Sequence, residues 1–264
     1  MTDGLMVAWA LLATVAAAVF VGLWLSYRRR LYTLQGRPLG GPIPTVQLDE
    51  FDPLFRQDDL GPTTAAEVAF IGSGRGVRGG ASDRETWVLA ALARDARLVF
   101  EFGTATGKTA YLLARNAGSD ARVVTLTLAP GQHTDYAAEG GDSRVARQRA
   151  LKESAFERFR YHGTSVEDRV DQHFGDSKAL DPAPWAGQCD LVFVDGSHAA
   201  SYVRSDTEKA LELVAPGGLV LWHDYRGPHG STRDVWRELN RLSATLPLVH
   251  LAGTSLVAYR RPEA

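Results

Sequence analysis

The sequence has little cysteine and no excess of positive charge. Its 264 residues include a single cysteine, Cys189, so no disulfide bond can form within the chain. The formal net charge is -2, which gives no overall positive field to attract a polyanion. A disulfide-stapled fold is therefore excluded, and nucleic acid is not expected as a partner.

A long apolar run lies near the N-terminus. Residues 5–25 contain no charged side chain and, as a helix, reach roughly 30 Å, enough to cross a bilayer core. A cleaved signal peptide is the alternative, with Ala16 to Ala18 as its cleavage site. However, no positive residue precedes the run, which also continues well past those alanines. We therefore predict an uncleaved single-pass membrane anchor.

Positive residues follow this anchor directly. They are Arg28, Arg29, Arg30 and Arg37. Because positive flanks stay on the cytoplasmic side, the rest of the chain is expected in the cytoplasm, attached to the membrane. The predicted organisation is an anchor over residues 1–30, a Gly/Pro-rich tether or strap over residues 31–66, and one folded domain over residues 67–264.

Helical and strand patterns alternate in the domain. The first helix begins at Ser82, which with Glu85 forms the pattern of a capping box. Seven short segments typical of strands follow, and the last two are predicted to form a hairpin. The sequence predicts an α/β fold with a doubly wound, mostly parallel, seven-stranded sheet covered by helices on both faces.

The most informative segment runs from Leu98 to Thr109. An apolar strand pattern containing Glu101 is followed by a turn through Gly103 and Gly107 and then by a helical pattern, so a ligand can approach bare backbone at the helix start. A phosphate-binding P-loop needs four residues between its first glycine and Gly-Lys-Ser/Thr, whereas three lie between these glycines. The segment is not a P-loop.

A second glycine pattern allows another interpretation. Gly74 to Gly79 matches the G-x-G-x-x-G pattern of dinucleotide-binding proteins, with Glu101 downstream as a ribose-binding acid. Gly80 and Ala81 separate this pattern from the helix start, which argues against an NAD(P)-dependent oxidoreductase. The loop from Gly72 to Gly80 is either a mobile connection or a lid over a cofactor.

Four motifs together resemble a known family. They are Glu101-x-Gly-x-x-x-Gly107, Gly175-Asp-Ser177, Asp195-Gly-Ser-His198, and a Pro216-Gly-Gly turn leading to His223-Asp-Tyr225. This combination resembles the class I S-adenosylmethionine-dependent methyltransferases, in particular the branch of macrocin O-methyltransferases and cephalosporin-hydroxylase-like proteins. The resemblance covers about residues 82 to 260. It implies a Rossmann-like fold and S-adenosyl-L-methionine as cofactor.

The resemblance also implies a set of cofactor-binding residues. They are Glu101, Gly103, Thr104, Gly107, Thr127, Asp176 and Asp195. Asp176 occupies the position expected near the adenine amino group, although a helix cap is an equally good role for it. Thr127 stands where the family usually has an acid for the ribose hydroxyls, and a neutral hydroxyl makes a weaker contact than a charged group.

Acids and histidines end two strands that should be neighbours. Asp195, His223 and Asp224 are positioned to hold a divalent metal, and the histidine favours Mn²⁺ or Zn²⁺ over Mg²⁺. Without a metal, His223 or His198 would act as a general base beside Asp195. A purely structural role for the histidines is the third interpretation.

The predicted function is S-adenosylmethionine-dependent methylation, at oxygen, of a small-molecule or lipid-linked acceptor. A non-catalytic S-adenosylmethionine-binding or scaffold protein is the main alternative. Neither the acceptor nor the oligomeric state can be derived from the sequence.

Overall fold

The computed structural model describes residues 2–34, 40–72, 80–132 and 136–263. The G-x-G-x-x-G pattern at residues 74–79, and with it most of the loop interpreted as a possible lid, lies outside the described residues. All statements below concern the described part of the chain.

Seven helices and ten strands are described. The helices are α1 (Thr2–Leu34), α2 (Leu48–Phe51), α3 (Asp83–Leu92), α4 (Lys108–Asn116), α5 (Arg144–Glu153), α6 (Ala200–Leu213) and α7 (Arg233–Leu242). The strands are β1 (Thr45–Val46), β2 (Gln57–Asp58), β3 (Gly61–Pro62), β4 (Leu98–Phe102), β5 (Arg122–Thr127), β6 (Val170–Phe174), β7 (Cys189–Val194), β8 (Val214–Trp222), β9 (Val249–Leu251) and β10 (Val257–Arg260).

The main sheet has eight strands in the order β1-β9-β10-β8-β7-β4-β5-β6. All its neighbouring strands pair in parallel except β10, which is antiparallel to both β8 and β9. The predicted α/β fold and the closing hairpin are confirmed. The eighth strand, β1, was not predicted because two residues are too few to show an alternating pattern.

Part of the predicted tether is packed against the domain. Thr45 pairs with His250 at the edge of the sheet, and Leu48 and Phe55 are fully buried in the core. Burial of these apolar side chains stabilises the attachment, so residues 43–55 form a strap on the domain, the second of the two arrangements that the sequence suggested.

Helix α1 extends away from this core. Its segment Met6–Arg28 has a mean hydropathy of 2.3, and none of it is buried against the protein. Its length and composition are sufficient to cross a membrane.

The connection between β5 and β6 differs from the prediction. The charged segment over residues 143–160 predicts one long helix, but α5 ends at Glu153. Beyond α5 the chain folds back onto the domain. Phe159 is buried in the core, and the Arg160 N-H donates to the carbonyl oxygen of Thr106 at 2.9 Å. This connection therefore lies beside the glycine turn that follows β4.

Candidate active site

The glycine turn after β4 has no room for side chains. Gly103 has a φ of +97°, and a Cβ placed on it would lie 2.2 Å from the carbonyl oxygen of Asp195. Gly107 has a φ of +72° and is the N-cap of α4. Both positions require glycine, and the turn brings the ends of β4 and β7 together.

A pocket lies at the carboxyl ends of β4, β5, β6 and β7, with α5 and α6 beside it. It encloses about 530 Å³ of empty space, part of it open to solvent. Four of the predicted cofactor residues line it, namely Gly103, Thr127, Asp176 and Asp195. Open α/β sheets bind their ligands at this edge.

Glu101 does not line this pocket but is buried at the end of β4. Its Oε2 accepts a hydrogen bond from Thr125 Oγ1 at 2.5 Å, while Oε1 is buried without a partner among the described residues. Burial, with a further contribution from the charge of Asp195, raises the pKa of Glu101 to about 8. The carboxyl group is therefore mostly protonated at neutral pH.

Thr104 and Gly107 are also outside the pocket lining. Thr104 Oγ1 lies 2.7 Å from Thr125 Oγ1 and accepts from Gln172 Nε2 at 3.2 Å. These contacts tie the turn to β5 and β6.

Thr127 and Asp176 both line the pocket, but they differ in the hydrogen bonds that they make within the protein. Thr127 Oγ1 has only a long hydrogen bond of 3.5 Å to Ser154. Asp176 Oδ1 accepts from the Lys178 N-H at 3.0 Å, which is the cap interaction that the sequence suggested. Its Oδ2 accepts from the Tyr202 hydroxyl at 2.8 Å.

Other residues of this pocket were not predicted from the sequence. Asp206 lines it and is almost completely buried, with Oδ1 unpartnered among the described residues. Burial raises the pKa of Asp206 to about 7. The rings of Tyr136 and Tyr202 stack at 4.4 Å, and both line the pocket. The one sequence signal for Asp206 was its position as an acid within the helical pattern of α6.

His223 has carboxylates at both ring nitrogens. Its Nδ1 lies 2.7 Å from Asp195 Oδ1, and its Nε2 lies 3.2 Å from Oε2 of Glu85. Burial disfavours the charged imidazole, but Asp195, Asp224 and Glu85 outweigh it and raise the pKa of His223 well above its usual value. The acids at its two nitrogens favour the charged form of His223 and leave it no free nitrogen, which differs from its predicted role as a base or metal ligand.

His198 has the free nitrogen that His223 lacks. Its Nε2 lies 2.7 Å from Asp224 Oδ2, and its Nδ1 is buried without a partner among the described residues. On the other side, Arg226 Nε lies 2.7 Å from Asp224 Oδ1. Burial alone would raise the pKa of Asp224, but His223, His198 and Arg226 hold it well below its usual range.

The residues that converge as possible metal ligands differ from the predicted set. Ligand atoms of Asp195, His198 and Asp224 lie within 4.8 Å of one another. His198 takes the place predicted for His223, because both nitrogens of His223 are already held by acids. The convergence of Asp195 and Asp224 at neighbouring strand ends agrees with the prediction.

The geometry is a ligand pocket next to an acid-histidine pair at the edge of a mostly parallel sheet. Residues 100–225, which contain both, match the model of a family described as a methyltransferase domain. These residues form a methyltransferase domain. No curated protein is similar enough to the chain to count as a match.

Solved structures resemble the methyltransferase over most of its length. The O-methyltransferase TomG of Streptomyces achromogenes, solved with S-adenosylmethionine, is 22% identical, with a TM-score of 0.49 over 69% of this chain and 82% of TomG. The S-adenosylhomocysteine-bound methyltransferase PaMTH1 of Podospora anserina is 20% identical, with a TM-score of 0.45 over 69% and 80% of the two chains.

The pocket suits S-adenosylmethionine as the cofactor of this methyltransferase. Gly103 and Ala105 of the glycine turn line the pocket together with Asp206, whose buried Oδ1 has no partner among the described residues. A ligand with a cationic amine at one end and an amino-substituted ring at the other can donate to Asp206 and to the other polar groups of the lining.

Proposed function

We propose that this methyltransferase methylates a hydroxyl group of a small-molecule or lipid-linked acceptor. We further propose that α1 holds it in the membrane with the catalytic domain in the cytoplasm. The observation that carries the reaction chemistry is His198, whose Nε2 lies 2.7 Å from Asp224 Oδ2 and whose Nδ1 has no partner among the described residues. A base in this arrangement is oriented by its carboxylate partner.

The reaction needs little covalent assistance from the protein. When bound, S-adenosylmethionine supplies an electrophilic methyl group on a good leaving group. His198 Nδ1 would accept the proton of the acceptor hydroxyl as its oxygen takes the methyl group, and S-adenosylhomocysteine would be the other product. Asp224 stabilises the resulting imidazolium, while the glycine turn and Asp195 keep the reacting groups in place.

Metal-assisted transfer is the second version of this proposal. The convergence of Asp195, His198 and Asp224 favours it. However, the oxygens of Asp224 already serve His198 and Arg226, and the His223 imidazolium lies beside Asp195. A Mg²⁺, Mn²⁺ or Zn²⁺ ion at this point would have to displace or outweigh these positive groups, so the local charge favours the base mechanism.

The two versions predict different results for the same assay. Under the base mechanism, His198→Ala lowers turnover by roughly 10² to 10⁴ while S-adenosylhomocysteine binding is retained, and chelators have no effect. Under the metal mechanism, chelation removes activity and Mn²⁺ restores it. His173→Ala, on the exposed part of β6, is the matched control. Full activity of His198→Ala in the presence of a chelator would contradict both.

A protein that binds the cofactor without transferring its methyl group remains the alternative. Thr127 supports it, because its hydroxyl offers no charge to the ribose. This alternative predicts S-adenosylhomocysteine binding without methyl transfer to any hydroxyl acceptor in a lipid and metabolite extract.

A further inference from the structure

A second, wider depression adjoins the cofactor pocket. It lies between α5, the chain that follows α5, and the start of α4, and it encloses about 2750 Å³ that opens to solvent. Glu153 lines both depressions, and Thr106 of the glycine turn lines the wider one. We call it the basic groove.

The basic groove is positively charged in a protein whose net charge is negative. Lys152, Arg158 and Arg160 line it and are exposed. None of the three forms an ion pair with an acid among the described residues. The acid in the lining, Glu153, is paired with Arg149 at 2.8 Å. Three cations are therefore available for an anionic ligand.

The walls of the groove are partly apolar. Tyr111 and Phe156 line it and are half-buried, so each presents part of its ring to the groove. A ligand that is only an anion would leave these rings exposed to water. The combination fits a molecule with an anionic group and an apolar body.

The basic groove is next to the reaction centre. Arg149 lines the groove, and its guanidinium nitrogen lies 3.8 Å from Asp224 Oδ2, which holds His198. A ligand in the groove can therefore extend past Arg149 toward the base while the cofactor pocket is filled.

We propose that the basic groove binds the acceptor, and that the acceptor is an amphiphile carrying a phosphate or carboxylate group. Lys152, Arg158 and Arg160 bind this group, and Tyr111 and Phe156 pack against the apolar part. This inference rests on the proposed methyltransferase function and specifies its substrate class.

The test is calorimetric titration of the full chain in neutral detergent micelles, saturated with S-adenosylhomocysteine so that the cofactor pocket is filled. The probes are hexyl phosphate, hexanol and inorganic phosphate. We expect hexyl phosphate to bind more tightly than either of the other two. Combined replacement of Lys152, Arg158 and Arg160 by Gln should weaken it by roughly tenfold or more, because charged hydrogen bonds are lost. Affinity for S-adenosylhomocysteine should not change.

The matched control is a triple variant that removes three exposed positive charges outside the lining of the basic groove, Arg56→Gln, Arg115→Gln and Arg144→Gln. It should leave hexyl phosphate binding unaltered. Equal binding by the parent and the groove variant would overturn the inference. So would equal binding of inorganic and hexyl phosphate, or binding to anionic vesicles without binding to hexyl phosphate, which would indicate a membrane-surface patch. A parent protein that binds hexyl phosphate but not S-adenosylhomocysteine would instead refute the proposed function, and the assignment to an acceptor with it.

Discussion

At the scale of single residues, Glu85 connects the start of α3 to the reaction centre. Its Oε2 accepts from the Ser82 N-H at 2.7 Å, which completes the capping box, and the same oxygen faces His223. Its Oε1 accepts from the Ser255 N-H at 2.6 Å. The sequence showed the cap, but not that this carboxylate is the second partner of a buried imidazolium.

We predict that Glu85→Gln lowers the free energy of unfolding by about 3 kcal/mol, because it leaves a buried cation with one of its two nearest carboxylates. The pKa of His223, followed by NMR, should fall. Glu67→Gln, an exposed acid, is the control and should change neither quantity. An unaltered His223 titration in Glu85→Gln would show that the ion pair is not formed.

Glu101 gives a prediction about pH. Its pKa is raised from 4.5 to about 8 in the folded protein. Between these values the folded state keeps a proton that the unfolded chain has lost, so the contribution of Glu101 to stability is complete at low pH and is lost as the pH rises through about 8. Because Gln mimics the protonated form, Glu101→Gln should gain stability relative to the parent as the pH rises.

Urea unfolding of the parent and Glu101→Gln at about pH 5 and about pH 8 measures this difference. Other titrating groups are shared by the two proteins and cancel in the comparison. A difference in unfolding free energy that is the same at both pH values would mean that Glu101 is already ionised in the fold.

At the scale of elements, the glycine turn fixes how β4 and β7 meet. We predict that Gly103→Ala lowers the free energy of unfolding by at least about 2 kcal/mol and removes cofactor binding, because the left-handed backbone alone costs roughly 1–2 kcal/mol for other residues. The added Cβ would also clash with the Asp195 carbonyl. Gly118→Ala, where a Cβ meets nothing within 4 Å, is the control. Thermal unfolding and titration of S-adenosylhomocysteine measure both effects.

The strands could be predicted from the sequence, whereas the side-chain contacts of the site could not. All seven predicted strands of the sheet form, and six of them are largely apolar segments bounded by turns. The exception is β6, whose three central residues are polar. The pairing of Glu85 with His223 joins residues 138 positions apart, and it depends on side-chain orientation that His198 rather than His223 has a nitrogen without a partner among the described residues. Neither leaves a periodic signal in the sequence.

At the scale of the whole molecule, α1 is the proposed membrane anchor. We predict that the full chain stays with membranes during alkaline carbonate extraction, and that mass spectrometry of the product finds the N-terminal helix intact. Removal of residues 2–34 should release the domain into the soluble fraction. A mature protein that begins just after Ala18 would show that the helix is a cleaved signal peptide.

The orientation across the membrane is a separate prediction. Positive residues that flank a membrane span favour the cytoplasmic side. We therefore expect protease added to sealed right-side-out vesicles to leave the domain intact and to digest it once the vesicles are opened. Digestion in the sealed vesicles would place the domain on the opposite side.

Calorimetric titration of the full chain with S-adenosylhomocysteine and, in parallel, with NAD tests the proposed methyltransferase function most directly. We predict saturable binding of one S-adenosylhomocysteine per chain, retained in His198→Ala and lost in Gly103→Ala, with no binding of NAD. Binding of NAD in place of S-adenosylhomocysteine would contradict the proposed function.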